Sequence, residues 1–202
     1  RNLDLALGLS DRALMDFTDV IAGRCTLEDA VVQHPKYPKL HLLTAPLSAR
    51  PMPIAPEQMK ALLDRIRQTY DYCLIDAPAG LGMGFHLASD YADRAVVVTN
   101  TDASSLRDAQ RTVAELDRLE QIHLVMNRIQ PKLLRQLRTT IDDAMDAAGL
   151  PLIGVVPEDP RVILSANQGR PLILGGRQGA ANACLNIAKR IQGLRVPIMR
   201  IR

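Results

Sequence analysis

A chain of 202 residues is long enough to bury one proper core, and its 47% apolar and 23% charged residues are ordinary for a globular protein. No apolar run approaches the length of a membrane span, and a net charge of +3 is too mild to argue for nucleic acid as a partner. The three cysteines (Cys25, Cys73 and Cys184) are odd in number and in no metal-ligand spacing, so they read as buried small hydrophobes in a reducing, cytoplasmic setting.

The chain opens Arg1-Asn2-Leu3-Asp4, with no Met and no capping signal, and reads as a piece whose N-terminal part is missing. The run "KLHLLTAP" (39–46) predicts a strand that leaves into a Pro-rich loop, Pro46 to Pro56. Pro56 suits the first turn of a helix whose apolar face is Met59, Leu62, Leu63 and Ile66. "DYCLIDAP" (71–78) predicts the next strand, "GMGFHLASDYA" (82–92) a helix, and "RAVVVTN" (94–100) a continuous apolar strand. The helix after it, from Asp102, carries Leu106, Ala109, Val113 and Leu116 on one face. "IHLVMNR" (122–128) predicts a strand, 132–148 one helix stopped by Gly149 and Pro151, and "PLIGVVPED" (151–159) the last strand. Helices are expected over 160–168 and 179–193.

Strands that are apolar throughout and separated by helices imply an α/β fold, a mostly parallel sheet covered on both faces. With aromatics at 3% and no Trp, its core must be aliphatic. Ligands of such sheets bind at the carboxyl ends of the strands. Those ends carry Asp76, Asn100, Asn127 and Asp159.

Asp76 ends an apolar run and enters a small-residue turn, Ala77 to Gly80. Such a carboxylate can hold Mg²⁺ beside a nucleotide's phosphates, directly or through water, or it can cap the helix beginning near Gly82. The Ala-Gly stretch would let backbone N–H groups approach a phosphate. Asn127 offers a donor and an acceptor, a match for an edge of adenine, although Asn is also common in turns. In "GVVPEDPRVILSANQGRPLI" (154–173), Pro157 and Pro160 stiffen the loop after the last strand, and Asp159 could cap the helix that follows. A triphosphate cradle of the G-x-x-x-x-G-K-[ST] type is absent, since no glycine of the chain precedes a lysine. "GGRQGAAN" (175–182) is glycine-rich but reads as a loop opening the last helix.

Six stretches carry a resemblance: "RNLDLALGL" (1–9), "DFTDVIAGRCTLEDAV" (16–31), "YDYCLIDAPAGLGMG" (70–84), "VVVTNTDASSLRDAQR" (96–111), "VMNR" (125–128) and "GVVPEDPRVILSANQGRPLI" (154–173). Over nearly its whole length the chain resembles the MinD branch of the MinD/ParA family of deviant P-loop ATPases. The opening RNLD and the PED…NQG stretch are the most particular of these matches.

The resemblance implies ATP and Mg²⁺ as cofactors and a P-loop strand and helix upstream of Arg1, roughly 30–40 residues or one strand–helix–strand unit. Carried over by position, Asp76 becomes the catalytic carboxylate on the Mg²⁺ side, acting through water. Ala79 and Gly80 become the switch that senses the γ-phosphate. Asn127, the backbone near Pro157, and Asp159 hold adenine, with Asn2 a further candidate. The implied activity is ATP hydrolysis in an ATP-bound homodimer that cycles between the cytoplasm and the inner face of the cell membrane, placing the division septum. A division inhibitor of the MinC kind and an ATPase-stimulating factor of the MinE kind are the implied partners. A regulator of flagellar number and placement shares the same features, and a non-hydrolysing scaffold would also fit a chain without a P-loop lysine.

Residues 1–193 are expected to form the partial ATPase domain and 194–202 a tail. From Lys189 to Arg202 the chain carries five basic, no acidic and six large apolar residues, which suits an anionic membrane surface, while Pro197 interrupts any continuous helix.

Overall fold

The computed structural model describes residues 2–47, 53–138 and 140–199, which divide into two compact units. The first comprises residues 1–75 with 161–174, and the second 76–160 with 175–202.

The first unit begins with helix α1 (Leu3–Leu7), ended by Gly8 in the left-handed region at φ +68°. A Cβ on Gly8 would collide with the carbonyl of Gly169, so this close approach of two backbones requires glycine twice over. Helices α2 (Phe17–Ile21) and α3 (Leu27–Ala30) each open on a capping box, Asp16 with Asp19 and Thr26 with Asp29. Strands β1 (Val32–His34) and β2 (Tyr37–Leu42) form an antiparallel hairpin. The predicted strand 39–46 therefore starts earlier and ends at Leu42, in a hairpin instead of the parallel sheet. Past it, Thr44 ties back to Met15 and Phe17 through its hydroxyl and carbonyl. Helix α4 (Pro56–Thr69) starts on its proline and buries Met59, Leu62, Leu63 and Ile66, the face its periodicity predicts.

The second unit holds a parallel sheet. Helix α5 (Met83–Ser89) precedes strand β3 (Ala95–Thr99), helix α6 (Ala103–Glu115) and strand β4 (Ile122–Ile129). Helices α7 (Pro131–Leu137) and α8 (Ile141–Ala148) lead to strand β5 (Leu152–Pro157). Helix α9 (Pro160–Asn167) and a short 3-10 turn (Leu172–Gly175) fall almost wholly in the first unit, and α10 (Gly179–Ile191) returns to the second. The strand order is β3-β4-β5, all parallel.

Both faces of this sheet carry helices, as a βαβ succession demands. Val155 joins Leu124, Met126, Ala144, Ala148 and Ala109 in the core under α6 and α8. Its neighbour Gly154 points to the opposite face, where Ile187 of α10 fills the space a Cβ would take. The core is aliphatic apart from Phe85.

Three expectations need correction. Residues 71–78 belong to no strand among the described residues, and all of them are exposed. An apolar run becomes a strand only when a neighbour pairs its N–H and C=O groups, and none does here. The single helix 132–148 is two helices, broken at Arg138 (φ +50°) and restarted by a Thr140–Asp143 capping box. The cysteines are not core residues. Cys25 is half-buried, while Cys73 lies on the exposed segment 71–78 and Cys184 on the outer side of α10.

Candidate functional site at the carboxyl ends of the strands

Parallel pairing brings three strand ends to one rim. Thr99 of β3 pairs with Met126 of β4, so Asn100 and Asn127 follow side by side. Beyond Met126 the β4–β5 ladder slips. Met126 pairs with Val155 and Ile129 with Pro157, leaving Asn127 and Arg128 opposite the single residue Val156. This is a β-bulge, a device that re-aims side chains at the ends of sheets. Arg128 takes the left-handed conformation, φ +54°, which only a few per cent of non-glycine residues do.

The bulge is tied to the loop after β5. The Glu158 N–H donates to the Ile129 carbonyl at 3.1 Å. The Arg128 guanidinium donates through Nε to Glu158 Oε2 at 2.9 Å and through Nη2 to Oε1 at 3.4 Å. The carboxylate stabilises the charged guanidinium and raises its pKa further. Asn127, immediately before these tied residues, is half-buried.

Pro157 ends β5 and Asp159 follows it, both half-buried. Asp159 Oδ2 accepts a hydrogen bond from the Ala180 N–H at 3.1 Å, so this carboxylate serves the first turn of α10. The start of α10 that it reaches lies 20 residues further along the chain.

Asp76 opens the second unit on an exposed segment and carries no hydrogen bond or ion pair among the described residues. After it the chain folds back. A Cβ on Gly84 would come within 2.7 Å of Pro78 Cγ, so the proline ring rests against the first turn of α5. Ala79 and Gly80 form the exposed tip of that loop, with Gly80 at φ +86° and nothing near its Cα hydrogens. Glycine is needed there for conformation, and the tip leaves open space for an incoming group. Asn2 belongs to the first unit, where it stands at the N-terminus of α1 without a side-chain cap bond.

The rim thus unites Asn127 and Pro157 on paired strands with Asp159 in the loop after β5. Asp76, Ala79 and Gly80 share their unit but no hydrogen bond with them. Two residues that sequence reasoning passed over, Arg128 and Glu158, make the most specific contact of the rim. Their only local signal is their adjacency to Asn127 and Pro157.

No group of three metal-binding side chains occurs among the described residues. A lone free carboxylate nevertheless fits Mg²⁺, which keeps most of its waters and takes one or two carboxylates plus phosphate oxygens. The half-buried amide of Asn127 likewise suits a base edge.

No model of a known protein family matches the chain. It is 37% identical to the septum site-determining protein MinD of Bacillus subtilis over 203 residues, covering 98% of this chain and 76% of that relative. Its backbone superposes on MinD of a MinC:MinD cell division complex from Aquifex aeolicus with a TM-score of 0.90 at 32% identity, over 98% of this chain and 81% of that one. MinD of Pyrococcus horikoshii, solved with Mg-ADP, matches with a TM-score of 0.80 at 27% identity, over 94% of this chain and 78% of that chain. With relatives this similar across nearly its whole length, the chain belongs to the MinD family of septum site-determining proteins.

Proposed function

We propose that this chain forms the base-binding side and the metal-side carboxylate of an ATP site, in a MinD-type ATPase that acts in placing the division septum. The observation that carries the proposal is the rim itself. The bulge that carries Asn127 is hydrogen-bonded through Arg128 and Ile129 to the Pro157–Asp159 loop, at the carboxyl ends of parallel strands, where α/β sheets take nucleotides. The Mg-ADP in the Pyrococcus horikoshii relative supports a nucleotide with its metal for this family.

In this reading Asn127 and the backbone near Pro157 hold adenine, and Asp159 keeps that loop fixed against α10. Asp76 holds Mg²⁺ through a water, and the metal would offset charge on the phosphates. Ala79 and Gly80 present backbone N–H groups to the terminal phosphate. The test uses the full-length protein of the host with Mg-ATP. Asp76→Ala is expected to abolish hydrolysis. Asn127→Ala is expected to weaken ATP binding about tenfold, the scale of a two-point amide contact to adenine, with little effect on GTP. Unchanged hydrolysis in Asp76→Ala would remove that residue from the mechanism.

The 202 residues contain no glycine followed by lysine, so they are expected to show no ATPase activity when purified alone. Mg²⁺-dependent hydrolysis by this polypeptide would relocate the phosphate site within it.

The further partners follow the same reading. The Aquifex aeolicus complex supports a MinC-type inhibitor, and the family resemblance supports an ATP-bound homodimer and a MinE-type stimulating factor. For contact with the inner membrane face, the support is the basic, apolar composition of 189–202. Liposome co-sedimentation of the full-length protein with and without residues 194–202 tests it. Equal binding would exclude the tail as the membrane contact.

A further inference from the structure

We infer that Arg128 and Glu158 act as a clamp that fixes the bulge at the end of β4 and so sets base selectivity, an inference that rests on reading this rim as the ATP site. An amide that must donate to one atom of a base and accept from another tolerates little rotation of its backbone. Asn127 lies in the least regular part of the ladder, where two residues face one and the next residue is left-handed. An unsupported bulge of this kind has other conformations within easy reach.

Two ties restrain it. The main-chain bond from Glu158 to Ile129 holds the C-terminal side of the bulge. The two-point bond from the Arg128 guanidinium to the Glu158 carboxylate holds the bulged residue itself, at 2.9 and 3.4 Å. Glu158 is in turn flanked by Pro157, whose φ is fixed by its ring, and by Asp159, which is bonded to the start of α10. The anchor against which Arg128 pulls is therefore rigid, and Asn127 lies between the last regular pair, Met126 with Val155, and these two ties.

The exposure of the pair decides where its effect should be read. The Arg128 side chain is 63% exposed and that of Glu158 31%. Ion pairs this open add little to folding stability. A clamp acting through geometry should instead change the preference among bases and leave the phosphate side alone. Arg128 and Glu158 are thus positioning residues, with Asn127 the group that touches the base.

The experiment measures dissociation constants of the full-length protein for ATP, GTP and ribose 5′-triphosphate, which has no base. Arg128→Ala and Glu158→Ala should each lower the preference for ATP over GTP about three- to tenfold, with ribose triphosphate binding unchanged. The double variant should do no more than either single one, because both remove the same bond. Arg128→Gly accepts the left-handed backbone without strain but cannot pair, and the clamp requires it to lose selectivity like the alanine variant. Additive losses, or equal weakening for all three nucleotides, would overturn the clamp and make Arg128 a direct or purely electrostatic contact. Retained selectivity in Arg128→Gly would overturn it too, leaving backbone conformation as the determinant. If the unmodified protein binds ATP no better than ribose triphosphate, the reading of the rim as a base site fails instead.

Discussion

Gly154 has no room for a methyl group. It lies on β5 where Ile187 of α10 presses down on the backbone, and both Ile187 Cγ1 and Cδ1 would overlap a Cβ. Glycine inside a strand usually weakens it, so this position is explained by the close approach of α10. Gly154→Ala is expected to destabilise the full-length protein by about 1–3 kcal/mol through overpacking. Chemical denaturation of Gly154→Ala and of Gly154→Ala with Ile187→Val checks this, the second recovering part of the loss because it removes the Cδ1 methyl.

A polar residue offers a different test. Asp102 caps α6 through the Ser105 N–H and also accepts from the hydroxyls of Ser104 and Ser105. These bonds, that from Ser104 first, lower its pKa from 3.8 to about 2. A depressed carboxylate pKa adds stability above the unfolded-state value and loses it as pH falls through the folded one. The stability gap between the unmodified protein and Asp102→Asn should therefore be flat above pH 4 and close between about pH 4 and pH 2. A gap that persists at pH 2 would show that charge on Asp102 contributes nothing.

Among the elements, those with a buried stripe or a buried run were legible in the sequence, and those decided by partners were not. The face of α4 and the strands β3, β4 and β5 match their patterns, because burial by a helix or a sheet face imposes the period directly. Residues 71–78 have the same apolar character but lack a pairing edge, which no local pattern encodes. The site divides along the same line. The strand-end rule picks out Asn127, Pro157 and Asp159, whereas the Arg128–Glu158 bond spans 30 residues and depends on a positive φ. The break between α7 and α8 has a local signal: Thr140 and Asp143 form the T-x-x-D box that starts a helix, and it lies inside 132–148. Thr140→Ala is expected to cost about 1 kcal/mol, as losing such a cap does. Amide exchange at Asp143, whose N–H donates to the Thr140 hydroxyl, should accelerate more than exchange in α6. Equal acceleration in both would point to global destabilisation instead of a lost cap.

At the scale of the whole chain, the parallel sheet is covered unevenly on its α10 side. Val98, Val125 and Gly154 stand in one row across β3, β4 and β5. Gly154 lies under Ile187, and Val125 is buried, but Val98 is 59% exposed and its neighbour on the same face, Val96, 40%. β3 is also the last strand of its sheet among the described residues, so its outer N–H and C=O groups have no strand partner there. Two exposed valines on an unpaired edge make a template for another strand. The 202-residue polypeptide purified alone should therefore self-associate as its concentration rises, seen as a growing fraction of fast-sedimenting species in the ultracentrifuge. Val98→Lys sets a charge on that edge, as natural edge strands do, and should shift the onset of association to higher concentration. The valine contacts little, so the substitution should leave the far-ultraviolet circular dichroism unchanged. A chain that stays monomeric at high concentration, or a Val98→Lys chain that associates just as readily, would rule out this edge as the surface responsible.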